Sequence, residues 1–417
     1  MISVDEHLES ILAAIPTLPA FAQTLLDAQG CALGADVACR VDLPPFDNSA
    51  MDGYAVIADD VAGAGPDTPV TLPVVGDIAA GASRAYAIRP GMAVRIMTGA
   101  PMPHGADAVV PVEDTDADTT RVRVDRAAAA GAYVRRRGSD AHAGDLVVEA
   151  GTVLTPRHIS ALAAAGHGRV PVHPRPRVVV LATGSELQPP GTDLGDAMIF
   201  DANSFGLAAS AREAGAIAYR VGIVPDDPRQ LLDLLEDQLV RADMVVTSGG
   251  VSVGAHDVVK EVLSRLGTVE FREVAMQPGK PQGFGTIGND ATPIFTLPGN
   301  PVSAFVSFEV FVRPAIRRLQ GMPTDDRTRV AAVAATSWRS PDGRRQYTRV
   351  HYEPPADGQP LGTVTPVGGQ ASHQVSDLAG ANALVVVPES ATEVPAGAQV
   401  ETILLDDLPG SVRAVAR

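Results

Sequence analysis

Between Arg177 and Leu319 short apolar runs alternate with amphipathic segments, and this alternation constrains the fold more than any other feature of the chain. Arg177-Val-Val-Val-Leu-Ala182 is an unbroken apolar run with the length and β-branched content of a buried strand. The spacing predicts a helix over 204–214 and a strand over 216–224. Asp227 as N-cap and Pro228 as first helical residue then open a helix carrying Leu231, Leu232, Leu234 and Leu235. Further strands are expected over 244–247, 269–276 and 293–297, and helices over 257–266 and 300–319. Strands that alternate with helices in this way form a parallel sheet with helices on both faces. Ligands of such sheets bind beyond the carboxyl ends of the strands.

The flanking sequence has other periods. Leu8, Ile11, Leu12 and Ile15, then Phe21, Leu25 and Leu26, fall at helical spacing, with Pro16 and Pro19 dividing two expected helices. From about residue 55 to 134, short Val/Ile segments broken by Gly and Pro, such as Val70-Thr-Leu-Pro-Val-Val75, predict a β-rich insert. Thr155 is placed to cap a helix that begins at Pro156, so the insert lies between two helical pieces of one domain. The tail, 325–417, returns to strand and turn patterns. The expected organisation is therefore an α/β multidomain protein. A helical domain is formed by 1–47 with 141–175, and a β-rich inserted domain by 48–140. The doubly wound parallel sheet occupies 176–324, and a β-rich, barrel-like domain occupies 325–417.

Composition excludes several classes. Hydrophobic residues make up 45% of the 417 residues, which is too many for a generally disordered chain. Against 49 Asp+Glu stand 33 Lys+Arg, a formal net charge of −16, which argues against a broad nucleic-acid surface. No apolar run approaches the roughly 18–20 residues needed to span a bilayer. Met1-Ile-Ser-Val-Asp-Glu6 has neither the basic nor the apolar region of a secretory signal. Cys31 and Cys39 are the only cysteines and make no disulfide framework. A soluble cytoplasmic protein, without membrane or nucleic-acid partners, is expected.

The chemistry-bearing residues lie where the predicted strands end. Thr183-Gly-Ser-Glu186 follows the first, and Thr247-Ser-Gly-Gly-Val-Ser-Val-Gly254 with Ala-His-Asp257 the third. Gln277-Pro-Gly-Lys280-Pro281 follows the fourth, and Pro298-Gly-Asn-Pro301 the fifth. In a parallel sheet these loops share one edge. Ser248, Gly249, Gly250 and Ser252 can turn backbone N–H groups toward an anion, and a helix starting near Asp257 adds its positive dipole end. Glu186, Asp226 and Asp257 are hard oxygen donors of the kind Mg²⁺ takes together with substrate phosphates. Lys280, one of only two lysines, is a point charge suited to an oxyanion. Each residue also has a plainer reading: Asp227 as a helix cap, Asp257 as another, Lys280 and the Arg135-Arg-Arg137 run as solvated charges. No nucleophile elbow, Walker lysine loop or dinucleotide fingerprint stands in its proper context. Residue chemistry alone thus reaches an anion-binding α/β enzyme using Mg²⁺.

Taken together, the motifs resemble a known family. Thr247-Ser-Gly-Gly-Val-Ser-Val-Gly254 with Asp257 resembles the signature of the molybdenum-cofactor biosynthesis fold. Pro45-Phe-Asp-Asn-Ser-Ala-Met-Asp-Gly-Tyr-Ala55, Ile96-Met-Thr-Gly-Ala-Pro101, Pro278-Gly-Lys-Pro281 and Leu297-Pro-Gly-Asn-Pro-Val-Ser-Ala304 resemble those of the MoeA family, the molybdopterin molybdenumtransferases related to the E domain of gephyrin. The motifs keep the family order from about residue 10 to the C-terminus.

The resemblance implies a four-domain, elongated homodimer. It would take adenylylated molybdopterin and molybdate, insert molybdenum at the dithiolene, and release AMP with the help of Mg²⁺. A molybdopterin adenylyltransferase would supply its substrate. Motif matching carries over Asp52, Asp140, Asp257 and Lys280 as catalytic residues, and Glu186, Asp226 and Asp257 as metal ligands. Thr98, Ser248, Gly249, Gly250, Ser252, Gly279, Pro298 and Pro301 match substrate-binding positions. Asp52 and Asp140 would reach the site from the partner protomer. One position departs from the pattern: bacterial relatives often carry a lysine ahead of Pro-Gly-Lys-Pro, where this chain has Gln277. A second basic residue expected a few positions earlier appears as Arg272. The loop Gln370-Ala-Ser-His373 resembles a family loop near the pterin. A binding scaffold or a catalytically decayed paralogue is the alternative reading.

Overall fold

The structure is a computed structural model and describes residues 1–81, 86–225, 227–250, 258–266 and 268–406. The chain forms two compact units. One contains Met1–Phe21, Gly30–Ala32 and the chain from His173 onward; the other contains Ala22–Gln29 and Leu33–Val172.

The first unit is built on a six-stranded sheet in the order Ile217–Val224, Arg177–Thr183, Met244–Ser248, Thr292–Leu297, Pro281–Ile287, Glu270–Glu273. The first four strands are parallel. Their unbroken apolar runs follow from burial on both faces. Val178, Val180, Val246 and Phe295 enter one core, and the alternating Val179, Leu181, Val245 and Ile294 enter the other. Each such side chain contributes about 1.5–3 kcal/mol on burial.

The sequence reading needs one correction in this sheet. The stretch 269–276 is not one strand. Glu270–Glu273 belongs to the sheet, and Met276–Gln277 pairs instead with Arg345–Glu353 of the C-terminal region. An unexpected strand, Pro281–Ile287, runs antiparallel to both of its neighbours. Glu270–Glu273 therefore points the same way as the four parallel strands, and the loop after it reaches the same edge. The glycines of Pro-Gln-Gly-Phe-Gly285 serve close packing: a Cβ on Gly285 would lie 2.5 Å from Val269 Cα.

Helices Asn203–Glu213, Pro228–Leu239 and Val258–Leu266 connect the strands. Asp227 is the cap that its position suggested, accepting from the N–H groups of Arg229 and Gln230 at 2.9 Å. The helix expected over 300–319 is helical throughout but contains a π turn, Phe308–Val312, between Pro301–Ser307 and Arg313–Leu319. Pro314 has no N–H to donate to the turn before it, and the widened turn accommodates the gap. The helix Val4–Ala14, closed by a Ser3/Glu6 capping box, buries Val4, His7 and Ile11 in the same core. Beyond residue 328, Arg329–Ala334, Gly362–Pro366, Arg345–Glu353, Ala383–Val387 and Gln399–Leu404 pair in that order into a closed ring, leaving no edge exposed.

The second unit carries the β-rich insert, a five-stranded sheet in the order Ala108–Pro111, Gly53–Val56, Ala93–Ile96, Val70–Ile78, Arg121–Val124. The helix Pro156–Ala164 begins at its Thr155 cap, whose N–H donates to His158 Nδ1 at 3.1 Å. The second N-terminal helix is a correction: Phe21–Thr24 is a strand and Leu25–Ala28 a single helical turn. Phe21 and Leu26 are 51% and 79% exposed, so their spacing marks no buried face. Among the described residues no helix is long and apolar enough to cross a membrane.

Candidate active site

The strand-end loops converge through hydrogen bonds that the motifs did not announce. Gly249 donates its N–H to the carbonyl of Leu297 at 3.0 Å, joining the Thr-Ser-Gly-Gly loop to the start of Pro-Gly-Asn-Pro. Its φ is +97°, and a Cβ there would lie 2.7 Å from the Thr183 carbonyl oxygen, so only glycine fits. Ser248 is buried and accepts from Asn203 Nδ2 at 2.7 Å. The same nitrogen donates to the Gly299 carbonyl at 2.7 Å. Gly250 follows with φ +76°. Two successive glycines in this conformation form the kind of backbone concavity that receives anions. Pro298 is buried, and Pro301 is the first residue of its helix. Glu186 is exposed beside the buried Gly184. Ser252, Asp226 and Asp257 lie outside the described residues.

The Gln277–Lys280 loop is held from two sides. Met276–Gln277 pairs in parallel with the C-terminal strand at Arg345 and Gln346. The buried Gln282 amide donates to the Gly279 carbonyl and to Ser307 Oγ, both at 2.6 Å. Lys280 Nζ is 2.8 Å from Glu273 Oε1, and the lysine holds the Glu273 carboxyl below its ordinary pKa. Arg272 pairs with Glu270 rather than turning to the loop. The cation beside Gln277 comes from elsewhere in the chain: Arg344 Nη1 donates to Gln277 Oε1 at 3.2 Å.

The C-terminal region adds a second loop. Ser372 accepts from Asn300 Nδ2 at 3.0 Å through its Oγ and from the Val302 N–H at 3.1 Å through its carbonyl. Behind it, Arg349 is 1% exposed and donates to the carbonyls of Gln374, Gly369 and Ala371, so the loop is wrapped around a guanidinium. His373 is exposed on this loop.

In the second unit, two site residues far apart in sequence meet. The Asp52 carboxylate accepts from the Thr98 N–H at 2.6 Å and its Oγ1 at 2.7 Å, and these bonds lower its pKa. Asp140 is exposed, with its N–H on the Leu43 carbonyl. The arginine run is partly committed: Arg136 pairs with Asp47 and Arg137 with Asp42.

Asn203, Gln282, Arg344 and Arg349 belong to no motif picked out from the sequence. The only signal for Asn203 is its place in Asp-Ala-Asn-Ser, which reads as a helix cap. Among the described residues no group of three His, Cys, Asp or Glu side chains could hold a metal ion. Glu186 is still a fitting donor, because Mg²⁺ binds through one or two carboxylates with water and substrate phosphates supplying the rest.

This arrangement defines an α/β protein whose strand-end glycine loops lie at one sheet edge with Lys280 and Arg344 on the neighbouring loop. Its sequence then places it more narrowly. Residues 2–166 match the MoeA N-terminal region (domain I and II), 179–318 a probable molybdopterin binding domain, and 331–405 the MoeA C-terminal region (domain IV). Molybdopterin molybdenumtransferase 2 of Mycobacterium tuberculosis is 46% identical over 407 residues, 96% of this chain and 99% of that one. Molybdopterin molybdenumtransferase of Nostoc is 36% identical, over 97% of this chain and 94% of its own. The solved molybdopterin biosynthesis MoeA protein of Pyrococcus horikosii is 30% identical with a TM-score of 0.81, covering 98% of this chain and 100% of that one. The chain belongs to the MoeA family of molybdenum cofactor biosynthesis.

Proposed function

We propose that the chain is a molybdopterin molybdenumtransferase that takes adenylylated molybdopterin and molybdate, places molybdenum on the dithiolene sulfurs as molybdate oxygens leave as water, and releases AMP when water attacks the phosphoanhydride, leaving the other phosphate on molybdopterin. The observation that carries this reading is the joining of the Gly249 loop to the Gly299 loop, with the Gln277–Lys280 loop at the same sheet edge and Lys280 and Arg344 as its cations. Both substrates are anions, and backbone N–H groups with fixed cations hold anions without reorganisation. The Gly250 N–H, with Ser252, suits the phosphates. Arg344, Lys280 and Gly279 suit molybdate, and Arg344 takes the place of the lysine that relatives often carry at position 277. Mg²⁺, when bound by Glu186, Asp226 and Asp257, would neutralise charge on the leaving phosphate. Asp52, preset as a carboxylate by Thr98, and Asp140 serve the site of a partner protomer in a homodimer. We place the reaction in the cytoplasm, downstream of a molybdopterin adenylyltransferase.

The test is reconstitution. Purified protein, adenylylated molybdopterin, molybdate and Mg²⁺ are added to an apo-molybdoenzyme, and its activity is read. Activity that requires this chain and molybdate is the expected result. Equal activity without the chain would contradict the proposal.

A further inference from the structure

We infer that Asn203 is a positioning residue that joins the two anion-binding loops into one receptor before ligand arrives. The inference rests on the function proposed above and concerns a residue to which no role has been assigned. Its amide nitrogen donates to Ser248 Oγ and to the Gly299 carbonyl, each at 2.7 Å. A carbonyl can only accept, so the orientation of the carboxamide is fixed by chemistry, and neither N–H is spare. Ser248 immediately precedes Gly249, and Gly299 lies inside Pro298-Gly-Asn-Pro301. One side chain therefore spans the two loops that are to face the ligand. The loops also meet directly, the Gly249 N–H donating to the Leu297 carbonyl at 3.0 Å.

The base of the clamp is rigid. Asn203 is the first residue of its helix, and the next residue is tied down by Asp201, which accepts from the Ser204 N–H at 2.9 Å and also from its hydroxyl. Asp201 is 1% exposed, and Arg220 Nη1 approaches its carboxylate at 3.8 Å. Arg220 in turn lies over the Phe205 ring at 4.0 Å. A carboxamide on so constrained a helix start cannot follow either loop if they part. Two hydrogen bonds that fix geometry without touching ligand should affect ground-state binding more than the chemical step.

The test measures the clamp with and without ligand. In Asn203→Ala, amide hydrogen exchange at Gly249 should quicken about tenfold, the size expected for one or two net hydrogen bonds, while the thermal midpoint stays near that of wild type. The dissociation constant for molybdopterin should rise by about the same factor, with turnover at saturation reduced less. Asn203→Asp keeps the shape but sets an acceptor against the Gly299 carbonyl. It should be no better than Ala if donation is what matters, and it keeps the test available should the Ala variant fold poorly. Unchanged exchange and affinity in both variants, or full rescue by Asp, would overturn the inference. Failure of the wild-type protein to bind molybdopterin would instead overturn the functional reading beneath it, because the exchange experiment reads the clamp alone.

Discussion

Arg344 brings a positive charge to the Gln277–Lys280 loop from a distant part of the chain. The Gln277 amide oxygen accepts from a guanidinium 67 positions further along the chain. A charge-assisted contact to an anion is worth about 1.5–3 kcal/mol. Arg344→Ala is therefore expected to raise the molybdate concentration needed for half-maximal turnover by roughly tenfold or more, with Gln277→Lys in the same background recovering part of it. A molybdate titration at saturating nucleotide checks this, and an unchanged midpoint would remove Arg344 from the oxyanion site. His7 makes a residue-scale prediction of another kind. Burial first, and the Arg272 charge second, lower its pKa from 6.5 to about 4. The folded protein thus holds the imidazole neutral where the unfolded chain binds a proton, so stability is full above pH 6.5 and falls as the pH drops toward 4. The loss approaches about 3 kcal/mol at most. Urea unfolding at pH 7 and pH 4.5 should show it in wild type and a smaller slope in His7→Phe.

Among the elements, the long helix after Pro301 carries an ionic layer whose stability cost can be measured. Glu309 lies buried in the π turn, where Arg327 meets it with two nitrogens at 2.9 and 3.0 Å. Arg313 pairs similarly with Asp326. Burial alone would raise the Asp326 carboxyl, but Arg313, Arg317 and Arg327 hold it below its ordinary pKa. Arg327→Ala leaves the buried Glu309 carboxylate without that partner and should cost about 3–5 kcal/mol in denaturant unfolding. A loss under about 1 kcal/mol would mean that the pair offsets only its own desolvation. The helices and parallel strands were legible because caps such as Asp227 and two-sided apolar runs such as Val178–Leu181 are local signals. The Pro281–Ile287 strand was not, because Gly283 and Gly285 are there for close approach of neighbouring strands, which no local pattern records. Gly285→Ala, whose new methyl meets the Val269 backbone, should lower stability by about 1–3 kcal/mol.

At the scale of the whole molecule the candidate site falls into two sets, one in each compact unit: the strand-end loops with the Ser372 loop, and Asp52 with Thr98. The motifs made both sets legible from sequence, while the side chains that brace the first set, Asn203, Gln282, Arg344 and Arg349, were not, because each acts on a residue distant in sequence. The homodimer proposed above predicts a sedimentation mass of twice the 43.1 kDa chain. Ile199 and Phe200, 55% and 42% exposed, are candidates for the buried face, so Phe200→Glu should shift the protein toward monomer. A wild-type protein that sediments as a monomer at micromolar concentration would contradict this assembly. The most direct test of the central claim is AMP release from adenylylated molybdopterin by the purified protein with Mg²⁺, measured with and without molybdate. Release that depends on molybdate is the predicted result. Retention of the nucleotide in the presence of molybdate, or release at the same rate without it, would contradict the account.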